Sequence, residues 1–446
     1  MTDTLARIRW NHGLTKYHYL VLAVAACGWL FDTMDQWIYV LARNPALTDL
    51  LSQQMNLPTS AKEVGDAVKE WSGFVQATFL FGWATGGLFF GIIGDRLGRT
   101  TTMAITVLIY ALFTGLSGFA QGPWDFTFYR FMTGLGIGGE FAAGASLVAE
   151  VFPAHARPMA LGIMQACSAI GNIAAGVIGY AVATASADPD RWRIMFLIGF
   201  APALMAFVVR MLVKEPEVYQ EARDKAAKGQ IQLGAISELL TNPILRRNLL
   251  VGVGLAAVGV IGFWGIGTYS TDLLKSIFNP GGDPAKGQYT ERMMALGVIA
   301  QNSGSFFGML GFAMMAQHIG RRWSFVVSLL ACAVVVPFTF HAINAAGTIG
   351  VSLLLLPIMG FATSSLFGGY AVYFPEIFPT RLRATGTGIC YNVARYIAIS
   401  GPILFTQLSV SLQSIPWAAT VVSAVFILGL LIIPFAPETK GRPLPE

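Results

Sequence analysis

The sequence predicts an all-α integral membrane protein, with twelve transmembrane helices in two pseudo-symmetric six-helix bundles. Three observations carry this reading. Of 446 residues, 54% are hydrophobic and only 12% charged, with a mean hydropathy of +0.60, too few charges to solvate the surface of a soluble globule of this size. Apolar runs of ~20 residues, enough to cross ~30 Å of hydrocarbon at ~1.5 Å per residue, recur along the whole chain. Finally, a motif repeats half a chain apart. Glu150-Val-Phe-Pro153 with Arg157 and Gly162 returns as Glu376-Ile-Phe-Pro379 with Arg383 and Gly388, at an offset of 376 − 150 = 226. Gly91 through Asp95, Arg96, Gly98 and Arg99 is answered by Gly311 through His318, Gly320, Arg321 and Arg322, at 320 − 98 = 222. A duplicated half of about six helices is the pattern of a two-fold repeat with a binding site between the halves.

The apolar runs place spans near 20–41, 72–93, 101–121, 124–147, 159–183 and 193–212 in the first half. The second half has spans near 248–272, 292–315, 323–343, 348–372, 384–408 and 415–435. Gly and Pro interrupt several of them, as membrane helices tolerate, and the short alternating segments of a β-barrel are not visible. The domains are therefore 1–212, a linker over 213–247, and 248–446 with a short tail. Residues 42–71 read as a long polar outer loop ending in Trp71, and Glu217 to Lys228 as an amphipathic surface helix. The first 19 residues are polar, carry Arg7, Arg9 and Lys16, and lack a cleavage pattern, so no signal peptide is expected. Arg96, Arg99, Arg157, the 214–247 cations, Arg321, Arg322, Arg381 and Arg383 share one side with both termini, which the positive-inside rule makes cytoplasmic. The lipid bilayer is thus a partner. A net charge of +5 calls for no nucleic acid, the chain is expected to be monomeric, and the absence of Asn-x-Ser/Thr acceptors suits a bacterial inner membrane. Cys27, Cys167, Cys332 and Cys390 all fall in spans and read as small packing residues.

Scaffold features are doubled, so charges that break the repeat are informative. Asp32 and Asp35 have no acidic counterpart in the seventh span, Arg130 maps onto Leu356, and Arg395 maps back onto Ala169. A mid-bilayer charge costs ~2.5–3.5 kcal/mol on insertion scales, so each needs a partner and a function. Rise per residue puts Asp32 roughly 18 Å along its span and Arg395 near ~17 Å along its own, with Arg130 level with Asp35. This predicts an Asp35–Arg130 pair, and Arg395 facing the central cavity near Asp32. The aspartates, three residues apart, share a helix face, and two carboxylates so placed in a low-dielectric cleft cannot both ionise cheaply. Glu140 either passes protons onward or caps a helix contact. Gln76, Gln165, Asn302 and Asn392 offer hydrogen bonds, and Trp29, Trp264, Tyr269 and Tyr391 offer cavity walls.

Gly91 to Arg99 resembles the signature of the major facilitator superfamily. The repeated Glu-x-Phe-Pro-x-x-x-Arg and the tail Pro437-Glu438-Thr-Lys-Gly441 are similar to its sugar-porter-like branch. Gly28-Trp-Leu-Phe-Asp32-Thr-Met-Asp35 and the stretch from Arg130 to Glu140 resemble the sialate/lactate branch of proton symporters. The aromatic-acid/proton symporters look similar in both places but typically carry Asp-Gly where this chain has Asp32-Thr33. The resemblance implies a proton-coupled symporter of a small organic acid, with no cofactor beyond the coupling protons. Asp32, Asp35, Arg130 and Glu140 would handle protons, and Arg395 would clamp the carboxylate bidentately. Asp95, Arg96, Arg99, Glu150, Arg157, Glu376 and Arg383 would form a cytoplasmic gate, their carboxylates and guanidiniums pairing across the halves. Relatives in the same superfamily also carry sugars or polyols, which calls for a cavity rich in amides and poor in positive charge. A non-transporting sensor would need a signalling tail. No Walker-type run is present. His12, His18, His155 and His318 lie at the aqueous ends and His341 near the outer end of a span, with no metal or nucleophile cluster, so an enzyme is not expected.

Overall fold

Inside a bilayer, backbone groups have only one another to bond with, and the described elements are all helical. The computed structural model describes residues 10–59, 61–185, 191–201, 212–266, 269–279, 284–398 and 400–445. The first half contains α1 (Lys16–Met55), α2 (Lys62–Leu97), α3 (Arg99–Ser117), α4 (Pro123–Val151), α5 (Arg157–Ala185) and α6 (Arg191–Ile198). The linker holds α7 (Glu217–Ala227) and α8 (Ile236–Thr241). The second half contains α9 (Pro243–Gly265), α10 (Ser270–Phe278), α11 (Pro284–Ile319), α12 (Arg321–Ala346), α13 (Ile349–Tyr373), α14 (Arg383–Ala398), α15 (Ser400–Ser411) and α16 (Ile415–Ile432). Among the described residues, eight stretches are long and apolar enough to cross a membrane, on α2, α3, α4, α5, α9, α12, α13 and α16. Of the remaining predicted spans, those on α1 and α11 are more polar, carrying Asp32, Asp35 and Asn302, and the eleventh is divided between the shorter α14 and α15. The sixth predicted span begins on α6 and runs into 202–211, outside the described residues.

The outer loop expected over 42–71 is instead mostly helix. α1 continues for 40 residues, through Pro45, to a left-handed cap at Asn56 (φ 51°), and α2 begins at Lys62. An apolar stripe explains this: Ala42, Ala46, Leu47, Leu50 and Leu51 pack against Val64, Val68 and Trp192. Its period is helical, and the intervening polar residues only decorate the wet face. The linker helix appears as expected, with Tyr219 and Ala222 buried. The cysteines divide: Cys332 and Cys390 are buried packing residues, whereas Cys27 is exposed and Cys167 half-buried.

The two halves repeat the same backbone interlock. A Cβ on Gly82 or Gly86 of α2 would lie 2.3 or 1.9 Å from the Phe131 or Leu135 carbonyl of α4. On Gly304 or Gly308 of α11 it would lie 1.8 or 2.1 Å from the Pro357 or Phe361 carbonyl of α13. The glycines are offset by 304 − 82 = 222 and their partners by 357 − 131 = 226, matching the two motif offsets. Small residues let these helices close to backbone contact, which supplies the packing that hydrophobicity cannot supply in lipid. The halves then meet along α5 with α11 and α2 with α14. Gly86→Ala, whose methyl has no space, is expected to lower the thermal unfolding midpoint in detergent by the equivalent of ~1–3 kcal/mol. Gly65→Ala, with nothing within 4 Å, should leave the midpoint unchanged or slightly raised.

Candidate functional site

At the motif-bearing end, four fully buried charges join the halves. Arg99 reaches Asp95 at 2.7 Å and Glu150 at 3.0 Å, and Arg383 from the second half reaches the same Glu150 oxygen at 2.7 Å. Asp95 also accepts from the backbone N–H groups of Ala384 (3.2 Å) and Thr385 (2.8 Å) at the start of α14, while Arg99 donates to the Thr380 carbonyl at 2.7 Å. Two carboxylates and two guanidiniums neutralise each other here without water, a geometry in which losing one member leaves a buried charge uncompensated.

The expected gate is therefore present but lopsided. Glu376 pairs within its own half, with Arg321 Nη2 at 2.7 Å and the Thr439 hydroxyl at 2.6 Å. Arg157 donates to the Ala149 and Phe152 carbonyls of its own half, and the Arg96 side chain is exposed. Among the described residues none of these three makes an ion pair across the halves, although Arg157 and Glu376 attract each other across them. The reason lies in the motif: Asp95 corresponds to Gln317, so the second copy lacks one carboxylate, and Glu376, though attracted also by Arg157, takes its ion pair from Arg321. Gln317 bridges in neutral form, donating to the His155 carbonyl at 3.0 Å. Sequence reasoning missed the residues that hold this end in shape. Glu215 accepts from the N–H groups of Arg99, Thr100 and Thr101, and Glu438 from those of Arg321 and Arg322. Each carboxylate caps the helix that follows Gly98 (φ 111°) or Gly320 (φ 89°). The signal was available, since Glu438 follows Glu215 at 438 − 215 = 223.

Deeper in the first half, Arg130 Nη2 lies 2.9 Å from Asp35 Oδ2, the predicted pair. The Thr114 hydroxyl donates to Asp35 at 2.6 Å, and the guanidinium lies 4.7 Å from the Tyr39 ring centroid and 5.0 Å from that of Phe79. Asp35 is thus fully engaged. Asp32 is not: it turns to Glu140 rather than to Arg395. The four oxygens of Asp32 and Glu140 accept no well-formed hydrogen bond among the described residues, and the Tyr110 hydroxyl faces Asp32 within reach of one. Gly28, one turn before Asp32, makes room, since a Cβ there would lie 2.2 Å from Glu140 Oε1. Two buried acceptors face to face are satisfied only when a proton lies between them.

Arg395, on α14, is caged at the interface of the halves. Its guanidinium carbon lies 4.1 Å from the Trp83 ring centroid of α2 and 4.3 Å from that of Tyr391. Tyr391 stacks on Phe141 of α4 at 4.4 Å, and Trp29 of α1 meets it edge-on at 6.4 Å. Asn392 orients the guanidinium, accepting from Nη1 at 2.6 Å, and itself donates to the Gly388 carbonyl. Among the described residues no carboxylate pairs with Arg395. In this aromatic cluster Trp29 Nε1 and Trp83 Nε1 are buried without partners among the described residues, as is Gln165 Oε1 on α5, the mark of groups awaiting a ligand. Trp83 and Phe141 were not foreseen, although Trp83 lies two turns from Gln76 on the same face of α2. Asn302 is occupied elsewhere, accepting from Asn172 at 2.9 Å across the halves, and Tyr269 stacks on Phe405 at 4.0 Å. Gln76 is half-buried on α2, and the side chain of Trp264 lies outside the described residues.

Two repeated bundles around a polar centre, closed at one end by charge, define a membrane transporter rather than an enzyme. The sequence profile of the family described as "Sugar (and other) transporter" matches residues 36–239 and 217–446. The chain belongs to that family, within the major facilitator superfamily. It is similar to the niacin transporter NiaP of Acinetobacter baylyi, 25% identical over 468 residues and 99% of each chain. It is also similar to the sialic acid transporter NanX of Escherichia coli, 27% identical over 325 residues, 73% of this chain and 74% of the relative. The solved structure of the proton:xylose symporter XylE bound to 6-bromo-6-deoxy-D-glucose shares the fold. Its TM-score is 0.76 over 96% of this chain and 98% of that one, at 19% identity.

Arg383→Ala removes one of the four buried charges and should shift the population toward opening at this end. A loss of ~1–2 kcal/mol corresponds to roughly 5–30-fold. Cysteine accessibility from the motif-bearing side reads it, and Arg96→Ala should leave labelling unchanged.

Proposed function

We propose that this transporter carries a small organic acid into the cell with protons, by alternating access in a bacterial inner membrane with both termini cytoplasmic. The observation that carries the reading is Arg395, a buried guanidinium between the two halves with no acidic partner among the described residues and its fork held by Asn392. Such a group binds a carboxylate bidentately and leaves a sugar with nothing to neutralise the charge. Niacin and sialic acid, the cargoes named for two relatives, share a carboxylate and little else. The flat walls supplied by Trp83, Tyr391 and Phe141 favour a planar, unsaturated acid over a polyhydroxylated one.

Asp32 and Glu140 form the proton-loading pair, holding the shared proton, while Asp35 stays paired with Arg130. Asp35 takes part when Arg130 moves away. Proteoliposome uptake of a carboxylate panel under an imposed pH difference tests the whole reading. Arg395→Ala should bind the best substrate about a hundredfold more weakly, ~3 kcal/mol, the loss of a charge-assisted fork. Parent-like affinity in Arg395→Ala would exclude the anion clamp. Glu140→Gln should abolish uphill uptake yet keep substrate counterflow, because the amide satisfies Asp32 without cycling a proton. Normal pH-driven accumulation by that variant removes the pair from coupling.

A further inference from the structure

Two grooves flank the motif-bearing end of α16 and its terminal turn Ile433–Phe435. One, about 600 Å³, opens between that turn and the start of α12, with Trp323, Val326 and Leu430 along its wall and Arg322 and Lys440 at its rim. The other, about 410 Å³, opens toward α9, with Leu250, Leu431 and Phe435 below Arg246 and Arg247. Both are apolar on the bilayer side and cationic toward water. The indole of Trp323 and the ring of Phe435 are 64% and 62% exposed, leaving large apolar faces for lipid to cover.

The cations are uncommitted. Arg322 and Lys440 donate to the Pro434 and His318 carbonyls, at 3.4 and 2.8 Å, not to an acid. Arg246 and Arg247 are exposed and have no carboxylate partner among the described residues. The one acid at either rim is Glu438. Burial raises its proton affinity, but the N–H groups of Arg321, Lys440 and Arg322 outweigh that and hold the carboxyl below its usual range. Its charge is spent on the helix end and leaves the rim cations unneutralised. These cations also break the internal repeat. At the offsets of their flanking motifs, Arg322 falls on Thr100 (322 − 222 = 100) and Lys440 on Glu217 (440 − 223 = 217). The scaffold arginines and glutamates are duplicated, so the unduplicated cations serve something the other half does not bind.

We infer that the two grooves are a binding site for anionic phospholipid of the adjoining leaflet, acyl chains against the apolar walls and phosphates against the paired cations. Juxtamembrane cations of this kind attract anionic headgroups, and an apolar wall distinguishes a lipid from free phosphate. Through Arg322 the lipid lies beside Arg321 and Glu438, the residues that fix the second-half copy of the latch.

Native mass spectrometry of the full-length protein in detergent tests this with phosphatidylglycerol and phosphatidylethanolamine of matched chains. The parent should retain phosphatidylglycerol at about tenfold lower concentration than phosphatidylethanolamine. Combined Arg246→Gln, Arg247→Gln, Arg322→Gln and Lys440→Gln should abolish that preference, and either pair alone should reduce it. Lys225→Gln with Lys228→Gln, exposed at the end of α7 and lining neither groove, should leave it intact. Equal retention of the two lipids by the parent, or an undiminished preference in both pair variants, overturns the site. Displacement by glycerol phosphate as readily as by intact lipid also overturns it, in favour of a phosphate pocket. None of these outcomes bears on which acid is carried.

Discussion

The buried quartet of Asp95, Arg99, Glu150 and Arg383 is the constraint on which the rest of this structure depends. Charges at zero exposure are stable only while they neutralise one another, and three of the four come from the first half, one from the second. Closure at this end is therefore a condition for leaving those groups dry. When the halves part, water must take over each hydrogen bond, so the same residues are tolerable in both states and costly in between. That is what a two-state element requires. The glutamate caps at the starts of α3 and α12 keep the glycine turns in place, and with them the reach of Arg99 and Arg321.

Fold and repeat were legible because they rest on period and duplication, which survive in sequence. The α2–α4 and α11–α13 interlocks even carry the two offsets seen in the motifs. The Asp35–Arg130 pair was legible from depth alone. The errors came where depth was right but azimuth was unknown. Asp32 and Arg395 were placed at similar heights, yet the close neighbour of Asp32 is Glu140 and that of Arg395 is Trp83. The 42–71 segment was misread because its polar residues outnumber a stripe that only a helical period reveals. The lopsided pairing of the gate was not legible: Arg157 and Glu376 attract each other across the halves but make their close contacts at home, because a motif shows which groups exist, not how they pair; the Gln317 substitution was the overlooked clue.

The central site combines two opposite ways of burying charge. Arg130 sits among rings with its counter-ion in hand and is finished. Arg395 sits among rings with no counter-ion among the described residues, and Asp32 and Glu140 press two carboxyl groups together. Both are incomplete in complementary senses, one short of an anion and the other short of a proton. A protonated organic acid, split into its two parts, would complete both.

The glycine interlocks have a mechanical consequence. Where backbone lies against backbone there is no side chain to yield, so α2 cannot tilt without α4, nor α11 without α13. Each half is stiff along its length, and compliance is confined to the seams of α5 with α11 and α2 with α14. On the proposed reading, cargo held at Arg395 would touch both sides of the α2–α14 seam through Trp83 and Tyr391. A small molecule can therefore tip two rigid levers, with little of the interaction dissipated in bending the helices it touches.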